Sequence, residues 1–308
     1  MKILLAEDSK IYQHLIGSYL TEWGFELQLA RDGTEAWRLL QEPNAPMLAL
    51  LDWVLPGIDG IDLCRNIRKR ATDERYVYTV LLTGKSDKKD LVRAMEAGAD
   101  DYLAKPFDAE ELRARLLAGK RILDLHKELV STRDSLRVAA THDFLTNLWN
   151  RAEIVGFLER ELVRGRRERR PVGVALLDVD HFKLVNDSLG HRAGDTVLKE
   201  LAARLRSQLR AYDAVGRYGG EEFLVILPGC NLEVALARAD KIRRFVAKDP
   251  MVTDLGKRSV TVSIGVTVAE PGASDVAALL NSADVALYRA KNNGRNRVDN
   301  SLVAASHA

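Results

Sequence analysis

Arg217-Tyr218-Gly219-Gly220-Glu221-Glu222-Phe223, running on into Leu224-Val225-Ile226-Leu227, reads as a tight turn entering a buried strand. A Gly-Gly pair between two extended runs predicts a two-residue β-hairpin. Both central residues of the favoured turn need positive φ, which glycine adopts without steric cost. The apolar run from Phe223 to Leu227 suits a covered strand. Two adjacent carboxylates then stand at the tip of a hairpin whose turn has no side chains, so a bulky polyanion can approach the backbone. Taken alone, the stretch is at least as well explained as an exposed hairpin with solvated glutamates.

A second stretch changes that balance. Val174-Ala175-Leu176-Leu177-Asp178-Val179-Asp180-His181-Phe182-Lys183 is followed by Asn186-Asp187, Gly190-His191 and Gly194-Asp195. Side chains alternate along a strand, so Asp178 and Asp180 share one face. Carboxylates at a strand end suit Mg²⁺, which takes one or two of them together with substrate phosphates. Together the two stretches resemble the GGDEF family of diguanylate cyclases, in the variant with Glu221, over roughly residues 141–299. The resemblance implies an α+β palm fold like that of nucleotidyl cyclases, acting on GTP with two Mg²⁺ ions. Asp178, the Val179 carbonyl, Glu221 and Glu222 become the metal ligands. Glu221, Glu222 and Lys183 become the catalytic groups, with either glutamate open as the base. Simple strand alternation points those two glutamates apart. Phe182, Asn186, His191, Asp195, Lys291 and Arg295 are implied to hold GTP, with Asn186 and Asp195 toward guanine. Asp180 is expected to cap the following turn, with His181 shaping the pocket. By their spacing of four, Lys291 and Arg295 share a helical face.

The chain has 308 residues, 46% hydrophobic and 29% charged, with a formal net charge of +2. That is two domains of ordinary size with no global basic field, so nucleic acid is not an expected partner. Cys64 and Cys230 lie far apart and form no metal-type spacing. Met1-Lys2 leads straight into a strand-like run, and no apolar stretch approaches the roughly 18 residues of a membrane span. The expectation is a cytoplasmic protein without membrane attachment.

Residues 1–120 alternate short apolar strands with helices, which predicts a doubly wound parallel α/β sheet. Glu7 and Asp8 follow the first strand, Asp52 ends the third, Thr83 the fourth, and Lys105-Pro106 follows the fifth. Polar loops alone do not explain three acids, a hydroxyl and a lysine at one edge. In such sheets that edge is where sites form. The segment resembles the response-regulator receiver family, a flavodoxin-like fold. The resemblance implies phosphorylation of Asp52 by a histidine kinase or phosphotransfer protein. It also implies one Mg²⁺ on Glu7, Asp8, Asp52 and the Trp53 carbonyl, and a switch made of Thr83, Tyr102 and Lys105.

Asp108 is placed to cap a helix that runs without Gly or Pro from Lys120 to Thr141. Ile122, Leu129 and Leu136 recur every seven residues, with Leu125 and Ala139 three beyond. We expect a helical stalk at 121–140 that pairs two copies and leads into a 141–308 cyclase domain. A surface helix packed on its own domain is the other reading. A homodimer suits the chemistry, since cyclic di-GMP is twofold symmetric and needs two GTP-loaded domains. Arg164 to Arg170 is expected to be a solvated basic loop. Arg210-Ala211-Tyr212-Asp213 resembles the family's inhibitory product site, with Lys241 as a further contact. Two competing readings are a non-catalytic domain serving as cyclic di-GMP receptor or scaffold, and a cyclase making another nucleotide product.

Overall fold

The computed structural model describes residues 1–70, 75–84, 88–253, 256–272 and 275–301. They form two compact units, Met1–Ser135 and Leu136–Ala308.

The first unit runs β1 (Lys2–Ala6), α1 (Lys10–Glu22), β2 (Glu26–Ala30), α2 (Gly33–Leu40), β3 (Leu48–Asp52), α3 (Gly60–Arg70), β4 (Tyr78–Thr83), α4 (Lys88–Glu96) and β5 (Asp101–Ala104). The strands form one parallel sheet in the order β2-β1-β3-β4-β5. Strands β3 and β4 are buried throughout because helices cover both faces. Alternate residues feed two cores. Ile3, Leu5, Leu50 and Val80 meet α1, while Leu4, Leu51 and Leu81 meet α2, α3 and α4. The strand order reverses between β1 and β3, which opens a crevice at their carboxyl ends.

Helix α5 (Ala109–Thr141) is one uninterrupted element of 33 residues. Asp108 caps it, accepting from the Glu111 N–H at 2.7 Å. Leu112, Leu116, Gly119 and Leu123 lie on one face at spacings of four, three and four, and all are buried. The approach is close: a Cβ at position 119 would lie 2.6 Å from the Tyr78 ring. Packing thus continues past residue 120, to Leu123 and to His126, whose ring meets Tyr76 at 5.5 Å. The heptad residues Ile122, Leu125, Leu129 and Leu136 lie exposed.

The second unit contains α6 (Arg151–Glu168), β6 (Val172–Val179), α7 (Phe182–Ser207), β7 (Ala214–Arg217), β8 (Glu222–Pro228), α8 (Leu232–Lys248), β9 (Met251–Thr253), β10 (Gly256–Arg258), β11 (Val262–Ala269), α9 (Val276–Asn292) and β12 (Val298–Asn300). Five strands pair in the order β12-β11-β6-β8-β7, with β6 antiparallel to both neighbours. Helices α7 and α8 cover one face, and α6 and α9 the other. The short β9–β10 ribbon stands apart. The basic stretch from Arg164 is helical as far as Glu168, and Arg169 ends α6 with a left-handed φ of 53°.

Gly265 marks the tightest helix–sheet contact. A Cβ there would lie 2.1 Å from the Ala283 carbonyl oxygen and 2.2 Å from the Leu287 nitrogen, both backbone atoms. Gly265→Ala must therefore move α9 off β11. The expected cost is at least about 1–3 kcal/mol, read as a lower urea midpoint.

Candidate active site

In the first unit the carboxylates of Glu7, Asp8 and Asp52 converge, with ligand oxygens all within 4.8 Å of one another. Lys105 Nζ bridges two of them, 2.6 Å from Glu7 and 3.1 Å from Asp52. Burial raises the Glu7 pKa, and the Asp52 charge adds to this against the pull of Lys105. A cluster of three acids with one ammonium suits a divalent cation. The Trp53 carbonyl accepts from the Gly60 N–H at 3.0 Å. Thr83 is buried at the end of β4. Tyr102 is half-buried on β5, under the Arg115 guanidinium at 5.5 Å. Arg115, which also binds Asp101 at 2.6 Å, was not singled out by sequence. Its spacing of four from Glu111, a 2.9 Å ion pair, was the available signal.

In the second unit the centre is Asp178, buried at the penultimate position of β6. Glu222 is its cross-strand partner on β8, and the two share the sheet face covered by α9. Lys291 on α9 reaches Asp178 at 2.8 Å. Burial raises the pKa of all three acids, Asp178, Glu221 and Glu222, and the Asp178 charge pushes both glutamates further. The one close ammonium cannot neutralise three carboxylates. That excess charge fits divalent cations carrying phosphate.

The turn differs from the sequence expectation. Neither Gly219 nor Gly220 takes a left-handed φ. Arg217 pairs with Phe223, and the N–H groups of Tyr218 and Gly219 both donate to the Glu222 carbonyl. Three residues, Gly219 to Glu221, therefore form the tip, so the two-residue turn and its φ requirement do not apply. Glycine serves proximity instead, since a Cβ at 219 would lie 2.5 Å from Glu222 Oε2. Glu221 lies in the tip, outside β8, and its carbonyl accepts from the Val179 N–H at 3.3 Å. Strand alternation therefore does not separate it from Glu222.

Asp180 does not cap the turn. Its carboxylate accepts from Thr261 Oγ1 at 2.6 Å, Ser263 Oγ at 2.7 Å and the Asn296 N–H at 3.0 Å. Those three bonds tie the end of β6 to the start of β11 and to the segment after α9. Arg295 is not on the helical face of Lys291, because α9 ends at Asn292. Gly294 turns with a φ of 113°, and the Arg295 N–H returns to the Ala290 carbonyl, a Schellman ending. The Arg295 charge still acts on Asp178.

Gly190, at a φ of 77°, breaks α7. In a straight helix Asn186 and Gly194 would be about 12 Å apart. Here a Cβ on Gly194 would lie 2.0 Å from Asn186 Oδ1 and 3.1 Å from Phe182 Cζ. The break gathers Phe182, Asn186 and Gly194-Asp195 into one corner. Asn186 Oδ1 is buried there without a hydrogen-bond partner. Lys183, His191 and Asp195 are exposed.

Of the three residues expected at a product site, Arg210 is exposed and the Asp213 side chain is fully buried. Arg238 grips the Asp213 carboxylate through both of its amino groups, and the Arg210 N–H adds a 2.7 Å bond. Lys241 is exposed on α8, and the cation that meets Asp213 is Arg238, three residues earlier. Arg210 lines a cleft of about 470 Å³ with Arg164 and Arg170.

Both units now have a family. Residues 140–297 match the GGDEF domain of diguanylate cyclases, and residues 3–117 match the response regulator receiver domain. The chain belongs to the GGDEF diguanylate cyclase family and carries a receiver domain. Response regulator PleD of Caulobacter vibrioides is 37% identical over 256 residues, 82% of this chain and 56% of PleD. Diguanylate cyclase DgcP of Pseudomonas aeruginosa is 43% identical over 163 residues, 53% of this chain and 24% of DgcP. The chain thus spans little more than half the length of the first and a quarter of the second. Among solved structures, the coiled coil and GGDEF domain of DgcB from Caulobacter crescentus, in complex with c-di-GMP, superposes with a TM-score of 0.55 at 31% identity. That match covers 62% of this chain and 99% of the other. No helix among the described residues is long and apolar enough to cross a membrane.

Proposed function

We propose that this chain joins two GTP into cyclic di-GMP with release of two pyrophosphates, under control of phosphorylation at Asp52. The observation that carries the reading is the pairing of Asp178 with Glu222 across β6 and β8, with Lys291 at 2.8 Å. Asp178, the Val179 carbonyl, Glu221 and Glu222 would hold Mg²⁺, which when bound would supply activation of the 3′-oxygen and charge neutralisation at the phosphates. Lys183, Lys291 and Arg295 bind the triphosphate. Asn186 and Asp195 bond to the guanine edge, and the unpartnered Asn186 Oδ1 supports this role. A carboxylate facing guanine N1 and N2 hydrogens discriminates against adenine. Each domain holds one GTP, so two copies must face each other, and the exposed heptad residues of α5 provide the pairing seam. Incubation with Mg²⁺ and either GTP or ATP, with products resolved by mass, tests the reading. Cyclic di-GMP from GTP alone is expected. Binding of cyclic di-GMP without turnover would favour the receptor reading.

Product inhibition is assigned to the Arg210 cleft. The guanidinium offers a planar fork to a phosphate or a guanine edge, while Asp213 orients the segment through the Arg210 backbone. Arg210→Ala is expected to raise the half-inhibiting product concentration about tenfold to a hundredfold, the worth of one or two charge-assisted bonds. Initial rates, read before product accumulates, stay near wild type. Inhibition should be non-competitive with GTP.

A further inference from the structure

One cation beside the signature loop has no assigned task. Arg151 is the first residue of α6, and its start is fixed by Asn150, whose side chain caps the helix at the Glu153 N–H. The Arg151 guanidinium lies 4.5 Å over the Tyr218 ring and donates to the Tyr218 hydroxyl at 3.3 Å. Tyr218 precedes Gly219, against which Glu222 Oε2 packs. Arg151 is exposed and forms no ion pair among the described residues. Lys291, the cation already assigned to the triphosphate, stands 2.8 Å from Asp178 on the same face.

We infer that Arg151 binds the α-phosphoryl group that the facing copy presents to this half-site. The inference rests on the cyclase reading. In each half-reaction the 3′-oxygen of one GTP forms a bond to the α-phosphorus of the other. The bond from that phosphorus to the β-phosphoryl oxygen breaks, and pyrophosphate leaves with the electron pair. The 3′-hydroxyl proton passes to a site carboxylate. The attacked phosphorus must therefore come within bonding distance of an oxygen held beside Glu221 and Glu222. Negative charge builds on its non-bridging oxygens at that point. A rigid, exposed guanidinium at the edge of the same loop is placed to receive it, and its fork geometry matches two phosphoryl oxygens. Stacking on Tyr218 pre-orders the side chain and lowers the entropy cost of the contact.

The test compares Arg151→Ala and Arg151→Lys with wild type in the full-length chain. Cyclic di-GMP formation gives kcat and KM, and GTP affinity is read separately in Ca²⁺. Loss of one transition-state donor lowers kcat by about 100- to 1000-fold. We expect that loss in Arg151→Ala, with KM and GTP affinity within about twofold and a partial return of kcat in Arg151→Lys. A kcat equal to wild type in Arg151→Ala overturns the inference. So does equal loss in both variants together with lost GTP affinity, which makes Arg151 only a strut for the loop. Wild type that forms no cyclic product overturns the cyclase reading itself, and this inference with it.

Discussion

Asp178→Ala is expected to remove cyclic di-GMP synthesis, by about 1000-fold or more, while the fold survives. The residue is buried but contributes no apolar packing, and its ion-pair partner among the described residues, Lys291, is on a half-exposed helix end. Its loss takes away charge at the point where metal and phosphate meet, a contribution of several kcal/mol to the transition state. Glu222→Ala should behave alike, and Glu222→Gln sharpens the test. Burial and the Asp178 charge raise the Glu222 pKa in the folded chain. A carboxyl with a raised folded pKa binds more protons folded than unfolded. It therefore destabilises the fold once pH exceeds that raised value, and the penalty is relieved as pH falls through it. Without nucleotide, Glu222→Gln should melt higher than wild type at neutral pH, with the gap closing in acid. Activity loss accompanied by loss of the circular-dichroism signal would make either position structural.

The second large effect concerns Asp52. Wild type treated with beryllofluoride, a phosphoryl mimic, should raise its cyclase rate by about 5- to 150-fold, the usual range of an allosteric coupling. Asp52→Asn should show no stimulation. A phosphoryl group on Asp52 adds roughly 1.5–2 negative charges. Lys105, now shared between Glu7 and Asp52, is drawn to the new oxygens, and Thr83, buried at the end of β4, is the expected switch hydroxyl. Equal stimulation of wild type and Asp52→Asn would sink the assignment.

Strand ends were the most legible part of the chain. Glu7, Asp8, Asp52 and Lys105 meet because short, largely apolar runs lie side by side as parallel strands, which brings their ends to one edge. Asp178 and Glu222 were legible for the same reason. The misreadings arise where a local rule meets a backbone break. A spacing of four put Lys291 and Arg295 on one face, but Gly294 ends that helix between them. Gly-Gly suggested a two-residue turn, whereas the pairing of Arg217 with Phe223 leaves a longer tip. The meeting of Asn186 with Gly194 depends on the φ of Gly190, which spacing does not encode. Arg238 escaped notice because which face of α8 meets Asp213 is decided by packing. Arg151 is not legible from local spacing, since its neighbour Tyr218 is 67 residues away.

Asp180 ties together residues that are made at very different times. Its bond to the Asn296 N–H spans 116 positions. At about 5–20 residues per second, a ribosome needs on the order of 10 s to cover that distance. Until then Asp180 is a carboxylate short of a partner, and Lys291 and Arg295 have no fixed place beside Asp178. The β6 strand and the signature loop can form earlier, but the corner that holds Lys291 and Arg295 cannot. On the proposed reading, a nascent chain that already displays the loop stays silent until the chain is translated past Asn296.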